Sequence, residues 1–150
     1  ALSAGALHGL LSLNLADNTI GSEGMQALAA AVSKGALRTL TNLSLMNSAI
    51  GPEGMQAFAE AIPNEALGNL THLDLSMNRM DEKGANALTE SISKGALRNL
   101  RDLNLDDNNI GDGGIKAVSE VLGMGALASL HTLGGPAGAA QGAGGGGSGG

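Results

Sequence analysis

The side chains best suited to chemistry lie in the stretch RDLNLDDNNIGDGG. Asp102, Asn104 and Asp106 stand at every second position of this stretch. Alternating oxygen ligands are what the first half of a calcium-binding EF-hand loop requires. Such a loop also needs a central glycine and a closing glutamate, where this chain has Asp107 and Gly113. The alternation therefore does not predict a calcium site, and it needs another cause.

A second group of candidate residues consists of His72, Asp74 and Asp102. If two neighbouring strands carry them, an imidazole lies between carboxylates and is able to bind a divalent cation or take part in proton transfer. The alternative is a solvated histidine beside ordinary surface carboxylates, and an open face without a pocket favours this alternative. We therefore predict no enzyme, no bound metal and no cofactor.

The composition limits the classes of protein to which the chain belongs. It has 150 residues, no cysteine, and Phe58 as its single aromatic residue, so its core must be aliphatic. The formal charge of −6 argues against nucleic acid or an anionic membrane as a partner. No apolar run approaches the roughly 20 residues of a membrane span. We expect an intracellular, cytoplasmic location, since nothing in the chain depends on disulfides.

The chain repeats with a period of 30 residues. Four units align without a gap, at 5–34, 35–64, 65–94 and 95–124, and a partial unit follows at 125–133. Each unit carries L-x-x-L-x-L-x-x-N-x-I/M, with serine replacing the asparagine once. The motif residues are Leu10, Leu13, Leu15, Asn18 and Ile20; Leu40, Leu43, Leu45, Ser48 and Ile50; Leu70, Leu73, Leu75, Asn78 and Met80; and Leu100, Leu103, Leu105, Asn108 and Ile110.

This motif resembles that of the leucine-rich repeat family, and the 30-residue period with room for a full helix is similar to its ribonuclease-inhibitor-like, intracellular class. The resemblance covers about residues 1–133. It implies an α/β solenoid, a right-handed βα arc with parallel strands on the concave face and helices on the convex face. It also implies a non-enzymatic scaffold for protein–protein interaction.

The elements that position the polar side chains follow from local patterns. L-x-L alternation predicts a short strand with its leucines on one face, and this explains why Asp102 and Asn104 alternate. Apolar residues at helical spacing, such as Met25, Leu28 and Val32, predict one buried face per helix. Strands stack about 4.8 Å apart and helices about 8–10 Å apart, so the stack must curve. We expect an inward-facing polar ladder that bonds backbone groups, formed by Asn18, Ser48, Asn78 and Asn108.

The concave strand face is the predicted binding surface for a protein partner. Its carboxylates become more frequent toward the fourth repeat, so a basic partner suits it best. It offers few of the Trp, Tyr and Arg side chains that dominate interface energies. The candidate contact residues are Met46, His72, Asp74, Met77, Arg101, Asp102, Asn104, Asp106 and Asp107. The alternative function is a structural segment of a large multiprotein assembly.

The two ends of the sequence predict a fragment of a longer repeat protein. The stretch ALSAGAL at 1–7 matches AVSKGAL at 31–37, so the chain begins inside the last helical turn of a preceding repeat. Residues 134–150 are rich in glycine and have no large side chain, so we predict a flexible tail or linker. Because neither end offers a polar cap, we expect contacts with neighbouring repeats or chains there.

Overall fold

A computed structural model describes residues 9–62 and 65–134 of the protein. Within these ranges, five strands alternate with four helices. The strands are β1 (Ser12–Asn14), β2 (Asn42–Ser44), β3 (His72–Asp74), β4 (Asp102–Asn104) and β5 (Thr132–Gly134). The helices are α1 (Gly21–Ser33), α2 (Gly51–Ala61), α3 (Glu82–Ser93) and α4 (Gly111–Gly123). The predictions about the start of the chain and about the tail fall on residues 1–8 and 135–150, outside the described residues, while Gly134 belongs to β5.

The strands form one parallel sheet in the order β1-β2-β3-β4-β5. Each strand residue pairs with the residue one repeat further along, as in Leu43 with Leu73 and His72 with Asp102. Register is therefore fixed by the gap-free period, because a slip by one residue would turn every leucine away from the core. The α/β solenoid predicted from the sequence is confirmed.

The core lies between the sheet and the helices, and it is aliphatic apart from Phe58. The stripe predicted for α1 is buried at Met25, Leu28 and Val32, with exposed fractions of 6% or less. The matching stripe of α4 is buried at Val118, whereas Ile115 and Leu122 are only partly buried. Within the described residues α1 and α4 each pack against one helix, α2 and α3 respectively, so the number of helix neighbours does not account for this difference.

The third repeat starts its helix differently from the other repeats. Gly21, Gly51 and Gly111 begin their helices with φ between 67° and 74°, in the left-handed region that glycine tolerates. Asp81 stands at the corresponding position in the third repeat, with φ −108°, and its carboxylate accepts a hydrogen bond from the Gly84 N–H at 3.0 Å. A side-chain cap thus replaces a glycine at this helix entry.

No helix within the described residues combines the length and the apolar character that a bilayer crossing requires.

Candidate functional site

The strand face forms an open groove of about 570 Å³ that runs across all five strands. Polar side chains line it because the leucines of each L-x-L strand point the other way, into the core. The groove takes one residue from each strand at two successive levels, so neighbouring repeats contribute side by side. All of them are polar except Gly134 of β5, and the polar ones are Ser12, Asn14, Asn42, Ser44, His72, Asp74, Asp102, Asn104 and Thr132.

His72 and Asp102 are in contact across neighbouring strands. The imidazole Nε2 lies 2.6 Å from a carboxylate oxygen of Asp102, and Nδ1 lies 2.8 Å from the hydroxyl of Thr71. The two side chains remain 49% and 40% exposed, so water competes for both of them. An exposed pair of this kind contributes little to stability.

Asp74 forms hydrogen bonds with Ser76, which follows its own strand, and not with His72. Its Oδ1 accepts hydrogen bonds from the backbone N–H of Ser76 at 3.0 Å and from the Ser76 hydroxyl at 2.6 Å. Asn104 makes the same turn with the N–H of Asp106, at 2.9 Å. Among the described residues no ion pair joins Asp74 to His72, and no group of three His, Asp or Glu residues is placed to hold a metal ion.

The carboxylates that stay available lie where β4 ends. Asp106 and Asp107 are both exposed, and neither takes part in an ion pair within the described part of the chain. Gly134 has no side chain, and a Cβ there would lie 2.8 Å from Oδ1 of Asn104 and 3.3 Å from Oδ2 of Asp106, so its absence leaves room for both side chains. Asp107 has φ +57°, as expected for a residue type that tolerates the left-handed region. We call Asp102, Asp106 and Asp107 the acidic corner.

The other candidate contacts on this face are less concentrated. Met77 is 44% exposed and Arg101 is exposed, whereas Met46 is half-buried. Asn47 donates a hydrogen bond to Asp17 at 2.8 Å, which ties together the strand exits of the first two repeats. The strand face therefore offers carboxylates at one corner and scattered apolar contacts elsewhere.

The asparagines of the repeat motif join neighbouring repeats beneath this surface. The Asn78 side chain donates to Leu45 O at 2.6 Å and accepts from the N–H of Ser48 at 2.8 Å. Asn108 repeats both contacts one unit later, with Leu75 O at 2.9 Å and the N–H of Asn78 at 3.0 Å. These bonds satisfy buried backbone groups that water cannot reach.

Two members of the predicted ladder differ from this arrangement. The Ser48 hydroxyl donates to Leu15 O at 3.1 Å, but it is too short to accept the backbone N–H groups that an asparagine would reach. The Ser48 carbonyl accepts one of them instead, from Ile20 at 3.1 Å. It also accepts the Gly21 N–H at 3.1 Å, as the Asn78 carbonyl accepts that of Gly51. Asn18 is exposed and donates to carbonyls of its own repeat, at Leu15 and Ala16. The described part of the chain contains no earlier repeat to which Asn18 could bond.

A second set of polar links lies at the opposite edge of the sheet, and the sequence analysis missed it. Thr39, Asn69 and Asn99 each donate a hydrogen bond to a backbone carbonyl of the preceding repeat, at 2.8, 3.0 and 2.7 Å. The signal was the recurrence of a small polar residue just before the first motif leucine. These links fix the turns that lead from each helix into the next strand.

Comparison with known families agrees with the geometry. A family profile described as Leucine Rich repeat matches residues 8–29, 36–59, 69–88 and 96–119, one stretch in each of the four repeats. Among curated proteins, none matches the sequence. Repeats of this kind commonly serve as protein-interaction modules and are generally not enzymes. With four matches in phase over more than half of its length, the chain belongs to the leucine-rich repeat family.

Proposed function

We propose that this protein is a non-enzymatic scaffold of the ribonuclease-inhibitor-like class that binds a protein partner on its strand face. The helices of 11 to 13 residues support the class, because they fill the convex side of each repeat with a full helix. The open groove supports a macromolecular partner. It excludes little water and does not enclose a small substrate.

The acidic corner is the observation that carries the proposal. Three carboxylates lie within six residues, Asp102 at the start of β4 and Asp106 and Asp107 just after its end. Among the described residues, the only ion pair that they make is that of Asp102 with His72. Exposed charges of one sign attract a partner of the opposite sign and suppress wrong partners. The partner therefore presents a basic surface, and the exposed Met77 adds an apolar contact at the neighbouring strand exit.

A charge-reversal experiment tests this proposal. The full chain serves as bait, and the double variant Asp102→Lys and Asp106→Lys is compared with the control Glu23→Lys and Glu53→Lys. The control makes the same change of net charge in the first turns of α1 and α2, away from the strand face. We expect a directly binding protein to be retained by the wild type and the control and to be lost by the double variant.

The outcomes separate recognition from a structural role. Binding that weakens steeply with salt, and that the double variant abolishes, supports the acidic corner as the contact. A partner that tolerates the double variant as well as the control contradicts the proposal. If that partner is lost instead on changing exposed residues of β1 or β5, the structural-segment alternative is supported.

A further inference from the structure

A polar cavity of about 650 Å³ lies on the edge of the solenoid where helices end and strands begin. It is separate from the groove of the strand face and shares no lining residue with it. Three cationic side chains line it: Lys34, Arg38 and Arg98. Glu60 and Glu65 line it as well, so the formal charge around it is one unit positive in a chain of net charge −6. We call this space the arginine cavity.

The cavity arises from a paired exchange in the third repeat. The turns of the second and fourth repeats read GALR, with Gly35 and Arg38 in one and Gly95 and Arg98 in the other. The third repeat reads EALG, so an acid replaces the glycine and Gly68 replaces the arginine. The middle repeat therefore lacks a side chain where both of its neighbours carry a guanidinium group.

The two arginines are held differently. Arg38 folds over its own turn, and a Cβ placed on Gly35 would lie 3.1 Å from its Cζ and Nε atoms. Arg98 extends toward the third repeat, which contains Gly68, and its Nη2 lies 3.2 Å from a carboxylate oxygen of Glu65. Within residues 9–62 and 65–134, neither Arg38 nor Lys34 takes part in an ion pair. One guanidinium group and one ammonium group are thus free of a carboxylate partner there.

The acids of the cavity do not cancel its cations. The Arg98–Glu65 pair is 59% and 70% exposed, so it is weak and a stronger anion is able to displace the carboxylate. Glu60 contacts Gln56 at 3.4 Å, on its own helix. The C-terminal ends of α1 and α2 also contribute partial negative charge near the cavity. Lys34 is the C-cap residue of α1, where a cation offsets such a charge.

We propose that the arginine cavity binds a small organic phosphate. Phosphate offers several acceptor oxygens to two guanidinium forks, a geometry to which arginine is better suited than lysine. The volume lies within the range of small-molecule sites, and Gly68 leaves room for the organic part. The backbone beneath is fixed, because the Asn69 and Asn99 amides bond to Arg38 O and Gly68 O.

The test is a titration of the full ¹⁵N-labelled chain with phenyl phosphate and with inorganic phosphate at constant ionic strength. We expect saturable shifts of the amides of Gly68, Asn69 and Asn99. The variant Arg38→Gln plus Arg98→Gln should weaken phenyl phosphate binding about tenfold or more. The control Arg79→Gln plus Arg101→Gln removes the same two charges from exposed sites that do not line the cavity, so it should bind like the wild type.

Two further variants distinguish a shaped site from general charge attraction. Gly68→Gln fills the gap without altering charge, and the turn admits a side chain because Arg38 and Arg98 occupy the same position in sister repeats. We expect it to weaken phenyl phosphate more than inorganic phosphate. Glu65→Gln should strengthen both. The far-ultraviolet circular dichroism of each variant verifies that it folds.

Several results would overturn this proposal. Shifts that do not saturate, or equal weakening by the Arg79→Gln plus Arg101→Gln control and by the Arg38→Gln plus Arg98→Gln variant, would show unspecific charge attraction instead of a shaped site. Benzoate binding as tightly as phenyl phosphate would refute phosphate as the ligand class. The double lysine variant of the acidic corner should leave phosphate binding unchanged, so this test is independent of the proposed protein partner.

Discussion

Replacing Asn78 by alanine should destabilise the protein more than any other single polar substitution in the ladder. Asn78 is 1% exposed and joins the second and third repeats. Its side chain makes four hydrogen bonds, with Leu45 O at 2.6 Å, Ser48 N at 2.8 Å, Ser76 O at 3.1 Å and Ile50 N at 3.4 Å. Alanine makes none of these bonds, and the cavity left behind is small and buried.

The expected loss follows from these contacts. Three of the bonds are short enough to contribute about 1 kcal/mol each, and the fourth is too long to count. Leu45 O and the Ser48 N–H also become buried groups without a partner, which adds to the cost. We expect a destabilisation of about 3–4 kcal/mol, and for a chain of this size this lowers the melting midpoint by about 10 °C.

Thermal and urea unfolding followed by far-ultraviolet circular dichroism measures this loss, since the chain has no Trp or Tyr for fluorescence. Asn18→Ala is the matched control, because Asn18 is exposed and bonds only within its own repeat. Asn78→Ser copies the second repeat, keeps a donor and should lose about half as much. If Asn78→Ala shifts the midpoint no more than Asn18→Ala does, the ladder does not hold the repeats together as argued.

Three other substitutions have defined outcomes. Ser48→Asn should raise the melting midpoint by the equivalent of about 1 kcal/mol, because an amide reaches backbone N–H groups that the hydroxyl does not; a lower midpoint would show that the site has no room for it. Asp81→Ala removes the cap of α3 and should cost about 1 kcal/mol in urea unfolding, whereas Asp81→Asn should be nearly neutral. His72→Ala should change stability by less than about 1 kcal/mol, since the pair with Asp102 is half-exposed; a larger loss would show that the pair is structural.

The fold was predictable because its signal is periodic. L-x-L strands, helical stripes and a gap-free period of 30 residues determine which residues pair, so the neighbouring positions of His72 and Asp102 followed from alignment alone. Repetition makes the secondary-structure prediction more reliable, because a helix or strand that is ambiguous in one repeat is clear in the other three. The burial of side chains was hardest to predict in the first and last repeats, because each of them lacks one neighbouring repeat within the described residues.

The candidate site was less predictable because side-chain partners depend on reach. In the sequence, Asp74 and Asp102 were both candidate partners of His72. In the structure, Asp74 instead accepts a hydrogen bond from the hydroxyl of Ser76, two residues further along the chain. The sequence showed that Ser48 departs from the asparagine of the repeat motif. It did not show that the backbone carbonyl of Ser48 accepts a hydrogen bond that the asparagine side chain accepts in other repeats. The third repeat differs from its neighbours at Glu65 and Gly68, and this difference indicates where the arginine cavity lies. The volume of the cavity could not be inferred from two residue types alone.

The sequential packing of this protein determines how its sequence is free to vary. Within the described residues every pairing of elements is between adjacent repeats, from α1 with α2 through β4 with β5. Substitutions in repeats that do not touch should therefore have additive effects on stability. A surface residue in one unit is then able to change without a compensating change elsewhere in the arc. The strand face can acquire a new specificity one repeat at a time.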